Sequence, residues 1–561
     1  MGPTTSRIID QEMDAIIYYL TAFAHIDGSY DEQEKRYIEQ FIDKLVGYRT
    51  RLALRDASVE AREAQVSRWT RHFLRVFEGI EQDIAAHFSE SVADGEQAHE
   101  FVFSRLKLRC YELFRRFSRD DQQKLLQLAD ELMQADGQVH PSEAKFRAEL
   151  GELLASDEHF ELIEADDEEP ATVRRMLILR GVSQPAPRVA NYDIFQAFER
   201  PFSSEKREFF AQFEQEQRLI ERAMQVLQER RTRGRGTLDG LQDVSELQGK
   251  GNFLDGYVHG LWPDPSKHYE LLVLGDLHGC YSCLKAALLQ ADFFGKVDAH
   301  HLDPSRPAMK LVLLGDYIDR GRYSYDGVLR TALQLLLLAP EHVYMLRGNH
   351  EFYVELQGRV YGGVKPSEAI DNLRNVASED VFRVYKNLFE ALPCSLLFGR
   401  ALFAHAGIPR DDTLAARWRG LSSLNDSEIR FQMLWSDPSE AEYIPLDLQR
   451  ANARFPFGKR QFKSFLARTG CNLMVRGHER VVEGIRAVYQ DQDASLYTLF
   501  SSGGASNADL PPTSNYREVR PVALTIHAHG GALELCPFAI DWERYNQEDL
   551  NLFLRPPRPP R

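Results

Sequence analysis

LLVLGDLHG (Leu271–Gly279) and LVLLGDYIDRG (Leu311–Gly321) decide how this chain is read. Each is an unbroken apolar run that stops at Gly-Asp. Continuous runs of this length suit strands buried on both faces, unlike the alternating pattern of a strand with one wet face. Three more runs share the texture: VYMLRGNHE (Val343–Glu351), ALFAHAG (Ala401–Gly407) and LMVRGHE (Leu473–Glu479). Amphipathic helical stretches, such as Tyr281–Gln290 and Tyr325–Leu338, lie between them. This alternation predicts an α/β sheet domain, with ligands gathered beyond the strand C-termini.

The side chains at those ends form a metal-ligating set: Asp276, His278, Asp316, Asn349, His405 and His478. Carboxylate, amide and imidazole donors suit manganese, iron or zinc better than calcium. The set is large enough for two divalent ions bridged by one carboxylate, an arrangement that clamps phosphoryl oxygens in line. Glycines flank Asp276, His278, Asp316 and Asn349, and are expected to let the backbone turn sharply there.

These motifs resemble the metallophosphatase fold and, within it, the PPP (phosphoprotein phosphatase) family, whose signature is GDxHG, GDxxDRG and GNHE in that order. Residues 280–314 separate the first two blocks and 322–347 the second from Gly348, near the family's spacing. The resemblance covers about Tyr269 to His529 and implies two β-sheets flanked by helices. It implies that Asp276, His278 and Asp316 hold one ion, and that Asp316, Asn349, His405 and His478 hold the other. His350 resembles the family's general acid, oriented by Asp319. That pairing is expected to raise the imidazole pKa toward working pH. Arg320 is expected to fork onto the substrate phosphate, as a guanidinium does bidentately, with Asn349 also in the substrate site. Arg347 and Glu351 are expected to brace the loop.

LWSDP (Leu434–Pro438) resembles the serine/threonine phosphatases rather than the diadenosine-tetraphosphate hydrolases. The family's second phosphate-binding arginine follows it. Here RANARFPFG offers Arg450, one place off the expected register, and Arg454, four residues before Gly458; both stay open. The family's LFSAPNY reads LFSSGGA (Leu499–Ala505), so its active-site tyrosine is missing there, and Tyr516 substitutes only if the loop folds back. The implied activity is a dimetal phosphomonoesterase acting on phosphoserine or phosphothreonine proteins. Attack comes from a metal-bridging hydroxide, with His350 protonating the leaving oxygen and no phosphoenzyme. The alternatives are a dinucleoside-polyphosphate or other nucleotide phosphohydrolase and a catalytically silent scaffold.

The first half reads differently. Residues 8–165 are predicted helical, with apolar faces Ile16, Ile17, Leu20, Phe23 and Ile38, Phe41, Ile42, Leu45 at helical spacing. A weak repeat places Asp27-Gly28 with Glu34, and Asp136-Gly137 with Glu143. Asp-Gly suits a tight turn, and the Glu then falls where a helix dipole favours it. An EF-hand would need hard oxygen ligands where Phe23, His25, Leu132 and Gln134 stand, so a helix–turn–helix corner is expected rather than calcium binding of that kind. These corners resemble the TerB-type helical domain. In that family the acidic corners are associated with metal binding, which would carry over to Asp27, Asp31, Glu34, Asp136 and Glu143.

Residues 166–250 are read as a linker with one long amphipathic helix from about Glu205 to Arg230, striped by Phe209, Phe213, Ile220, Met224 and Leu227. Residues 251–545 are the expected catalytic domain, and 546–561 a Pro/Arg-rich tail. At 43% hydrophobic and 27% charged, the 561 residues can bury a sizeable core, which excludes global disorder. Net charge is −16; residues 1–250 carry 34 basic and 47 acidic side chains, hence −13, leaving −3 for the rest. This acidity argues against a nucleic-acid or anionic-membrane coat. The phosphatase resemblance implies phosphoprotein substrates as partners, and the acidic helical half is expected to be a regulatory module. Six cysteines make no disulfide framework, and the lone CxxC at Cys280 and Cys283 is a weak redox signal. No signal peptide is evident and no apolar run nears the ~18 residues of a membrane span, so a cytoplasmic location is expected.

Overall fold

The computed structural model describes residues 3–555, apart from 27–29, 31, 54–57, 89–91, 94–97, 115–116, 134–140, 157–176, 184–190 and 492. Two compact units result, Met1–Pro170 and Ala171–Arg561.

The first unit is helical. Pro3–Ala24, Glu32–Ala53, Val59–His87, Ala98–Phe114, Arg119–Met133 and Pro141–Ser156 form its long helices. The periodic apolar faces are what they bury: Ile16, Ile17, Leu20, Phe23, Ile38 and Ile42 join Phe73, Phe77, Tyr111 and Phe146 in one core. Phe41 and Leu45 pack against its edge. Of the repeated corners, Asp27, Asp31 and Asp136 lie outside the described residues. Glu143 starts the last helix and is buried.

The second unit is a four-layer stack. The strands predicted from the apolar runs are β1 (Tyr269–Leu274), β2 (Ala308–Leu313), β3 (Val343–Met345), β4 (Ala401–Ala404) and β5 (Leu473–Arg476). β1, β2 and β3 run parallel in a six-stranded sheet, whose other strands include the Val522–His529 and Ala532–Ala539 hairpin. β4 and β5 run parallel in a seven-stranded sheet. The two sheets face each other across a core of Leu271, Val273, Val312, Leu314, Phe403, Leu473, Val475 and Leu524. Helices cover both outer faces, which is why these strands read as unbroken apolar runs.

The stretch read as linker contains the helix Lys206–Gly234, four residues longer at its C-terminus than the sequence suggested. Its stripe (Phe209, Phe213, Ile220, Leu227) packs into the helical layer over the six-stranded sheet, beside Leu333, Leu336 and Tyr385. Two buried ion pairs tie neighbouring residues to the same layer. Arg330 Nε meets Glu216 at 2.6 Å, and Lys285 Nζ meets Glu199 at 2.5 Å. Removing one partner of such a pair costs about 3–5 kcal/mol, because the other charge is left buried. Phe553, in the expected tail, stacks on Tyr323 and meets Tyr281 edge-on. The predicted helix after Tyr325 begins as a π-helical turn, Ser324–Leu329, and becomes α-helical over Arg330–Leu338. No helix among the described residues is long and apolar enough to cross a membrane.

Candidate metal centre and phosphate site

The five strand ends converge. Asp276 follows β1, Asp316 follows β2, Asn349 follows β3, His405 follows β4 and His478 follows β5. All are buried, as is His278. His278 Nδ1 lies 2.9 Å from the Ile318 carbonyl, and His405 Nδ1 lies 3.0 Å from the Leu314 carbonyl. A carbonyl only accepts, so each Nδ1 carries the proton and each Nε2 presents a lone pair. Those lone pairs face opposite oxygens of one carboxylate: His278 Nε2 is 3.3 Å from Asp316 Oδ2, and His405 Nε2 is 3.4 Å from Asp316 Oδ1. Acceptor against acceptor at this distance is repulsive unless a cation lies between.

The remaining donors complete two clusters around Asp316. The Asn349 side-chain amide is 2.9 Å from His405 Nε2 and 3.2 Å from His478 Nδ1. Asp276 Oδ2 is 3.7 Å from His278 Nε2, and is buried with no hydrogen-bond partner. Ligand atoms of His278, Asp316 and His350, and of Asp316, His405 and His478, group tightly enough to share an ion. Burial holds His278, His405 and His478 well below the ordinary imidazole pKa, which favours the neutral form able to bind a metal. Burial first, then the neighbouring Asp276 and Glu351 carboxylates, push Asp316 well up. Neutral imidazoles and crowded, desolvated carboxylates are a donor set short of positive charge, and divalent cations fit it.

The backbone is shaped to this set. His278, Asp316, Asp319, Arg320 and His478 have positive φ (43°, 52°, 67°, 64° and 72°), a left-handed conformation costly for residues with a Cβ and characteristic of functional sites. Sharp turning therefore falls on these residues themselves as well as on Gly279 and Gly315. Gly348 serves closeness instead: a Cβ there would sit 2.1 Å from Asp316 Oδ1. Glu351 braces the site, as expected. Its carboxylate accepts from the backbone N–H groups of Asp316 (2.8 Å), Tyr317 (2.9 Å) and Gly348 (2.9 Å), and its carbonyl accepts from Arg347 Nε.

His350 Nδ1 pairs with Asp319 Oδ2 at 2.6 Å, and His350 Nε2 lies 3.9 Å from Asp316 Oδ2. The pKa expectation for this pair is reversed. Burial first, then Arg320 and Arg454, hold His350 well below the ordinary value, and burial lifts Asp319 to about 6.

The two arginines left open by the sequence separate here. Arg450 is largely exposed and forks onto Asp412 Oδ2 at 3.0 and 2.8 Å. The structure does not bring it to the cluster. Arg454 is buried, donates to Asp437 Oδ2 at 2.6 Å, and bears electrostatically on His350 and His478. Asp437 of LWSDP is the anchor that sequence reasoning missed. Its other oxygen takes Arg476 Nη2 at 2.8 Å, and its segment pairs in parallel with Pro456–Phe457. The loop carrying Tyr516 does fold back. The Tyr516 ring lies 5.3 Å from His278 and 5.1 Å from Phe500, with its hydroxyl bonded to Arg320.

Comparison with known proteins agrees with this geometry. Residues 269–481 match the model of the calcineurin-like phosphoesterase family. An Encephalitozoon cuniculi protein named a probable serine/threonine-protein phosphatase is 30% identical over 238 residues, 42% of this chain and 47% of its own length. The serine/threonine-protein phosphatase 4 catalytic subunit of Saccharomyces cerevisiae is 28% identical over 197 residues, 34% of this chain and 60% of its own. The chain thus spans about half the length of these relatives. Among solved structures, a Saccharomyces cerevisiae protein serine/threonine phosphatase aligns over 58% of this chain and 88% of its own, at 18% identity and a TM-score of 0.36, too low to add to the argument. Metallophosphoesterases work with divalent metal ions, and the donors grouped on Asp316 can hold them. Residues 269–481 thus match the calcineurin-like metallophosphoesterase family, and serine/threonine phosphatases are among the relatives to which this chain is similar.

Proposed function

We propose that this protein is a dimetal phosphomonoesterase acting on phosphoserine and phosphothreonine in proteins. The observation that carries the reading is Asp316, whose two oxygens each face an imidazole lone pair, as a carboxylate shared by two cations must. Asp276, His278 and Asp316 would hold one ion; Asp316, Asn349, His405 and His478 would hold the other, with manganese the best match and iron or zinc suited to the same donors. When bound, such a pair lowers the pKa of water and neutralises phosphoryl charge.

The chain's own groups supply the rest. Arg320 binds the phosphate oxygens from the side of Tyr516, and Arg454 from the side of Asp437. Asn349, beside His405 and His478, would also face the substrate. His350 is the candidate general acid: Asp319 holds Nδ1–H and so fixes the ring, and the bound phosphate dianion would favour the imidazolium, whose Nε2–H passes to the departing seryl or threonyl oxygen. The names of both relatives as serine/threonine-protein phosphatases, together with LWSDP, favour a protein substrate over a dinucleoside polyphosphate.

The test is a side-by-side assay of the manganese-loaded full chain on phosphoserine and phosphothreonine peptides and on a dinucleoside tetraphosphate. Faster kcat/KM on the peptides is expected. Turnover confined to the dinucleotide would transfer the site to nucleotide chemistry, and no turnover with manganese, iron or zinc would leave a silent scaffold.

A further inference from the structure

Asp319 and Arg320 are adjacent, and two adjacent residues of a separate segment grip them. Arg320 Nη1 donates to Glu368 Oε1 at 2.7 Å, and Ala369 N–H donates to Asp319 Oδ1 at 2.7 Å. Glu368 and Ala369 open the short helix Glu368–Leu373. Asp319 and Arg320 are both left-handed, each at a cost of roughly 1–3 kcal/mol, so their geometry must be held from outside. Within Asp319 the two oxygens are divided: Oδ2 orients His350 and Oδ1 answers to Ala369. Arg320 is divided in the same way, between Glu368 and the Tyr516 hydroxyl. The Arg320 side chain is 12% exposed, so it has little freedom to find this pose unaided. Glu368 Oε2 has no hydrogen-bond partner, so the bond of Oε1 to Arg320 is the contact through which this carboxylate acts.

We infer that Glu368 is a positioning residue that sets the Arg320 guanidinium for the substrate phosphate. With Ala369 it holds the phosphate fork and the His350–Asp319 pair in one register. This rests on the phosphomonoesterase reading and names the part of the chain that aims its anion site. A guanidinium has five N–H donors in a rigid fork, so one amino group can stay on Glu368 while the others meet phosphate.

The experiment measures KM, kcat and inhibition by inorganic phosphate for the manganese-loaded full chain, with p-nitrophenyl phosphate as substrate. Glu368→Ala should raise KM and the phosphate inhibition constant together, by about 10-fold, the scale of a lost charge-assisted hydrogen bond. kcat should stay within about 2-fold, because the lost interaction is made equally with bound substrate and transition state. Glu368→Gln, which keeps an acceptor for Arg320, should restore most of the loss. In an Arg320→Ala background Glu368→Ala should add nothing, since the two act as one unit. Unchanged or lowered KM and inhibition constant in Glu368→Ala would overturn the inference; the lowered case would make Glu368 a competitor for the fork. An undiminished effect in the Arg320→Ala background would overturn it as well. A wild-type chain without turnover would instead defeat the phosphomonoesterase reading. Calorimetric titration of inorganic phosphate into wild type and Glu368→Ala would still test the grip, with equal affinities refuting it.

Discussion

Replacing Asp316 by Asn is expected to lower kcat at least about 10³-fold, roughly 4 kcal/mol of lost transition-state stabilisation. The change is isosteric, so it respects the tight approach of Gly348 and tests charge rather than fit. An amide has one oxygen and no charge. It can face His278 Nε2 or His405 Nε2 with an acceptor, but not both, so the bridge between the two clusters is lost. The stability readout runs the other way. In metal-free protein the Asp316 carboxylate is desolvated beside Asp276 and Glu351, so removing its charge leaves the melting temperature unchanged or raised. Added manganese should raise the melting temperature of the wild type, because binding only the folded form stabilises it, and should do so much less for the variant. Thermal melts with and without manganese, beside the assay, check both parts. An active Asp316→Asn variant would remove Asp316 as the shared ligand.

The second large effect belongs to His350. His350→Gln should lower kcat on a phosphoserine peptide by about 10²–10⁴-fold, the usual contribution of a general acid, with KM little changed. On p-nitrophenyl phosphate the loss should be far smaller, because nitrophenolate departs without a proton. Asp319→Asn should follow the same leaving-group pattern, since it frees the ring held at 2.6 Å. Equal losses on both substrates would mean that His350 is a structural or ligand residue and not the acid.

The strand ends were legible because their signal is local. An apolar run closed by Gly-Asp, Gly-Asn-His or Gly-His carries both the strand and the ligand on adjacent residues, and β1 to β5 fall on those runs. The helix Lys206–Gly234 was legible for the same reason, its stripe being periodic. What it packs against was not, because the partners lie more than a hundred residues on, at Leu333, Leu336 and Tyr385. The choice between Arg450 and Arg454 depended on a parallel pairing of Asp437–Pro438 with Pro456–Phe457, which neither segment announces. Tyr516 reaches His278 from a loop sixteen residues beyond Phe500, so a missing tyrosine in LFSSGGA was visible and its replacement was not. Glu368 carries no motif at all. The pKa expectation for His350 failed through what a pairwise reading omits: complete burial and two nearby guanidinium groups outweigh the carboxylate. The positive-φ backbone at Asp316, Asp319 and Arg320 likewise emerges only from the assembled site.

The central claim is that one carboxylate serves two cations. Anomalous diffraction from crystals of the manganese-loaded full chain tests it most directly. Two peaks are expected on either side of Asp316, about 3.5–4 Å apart as in two-metal phosphoryl-transfer sites, one beside Asp276 and His278 and the other beside Asn349, His405 and His478. A single peak, or two peaks that do not share Asp316, would contradict the account.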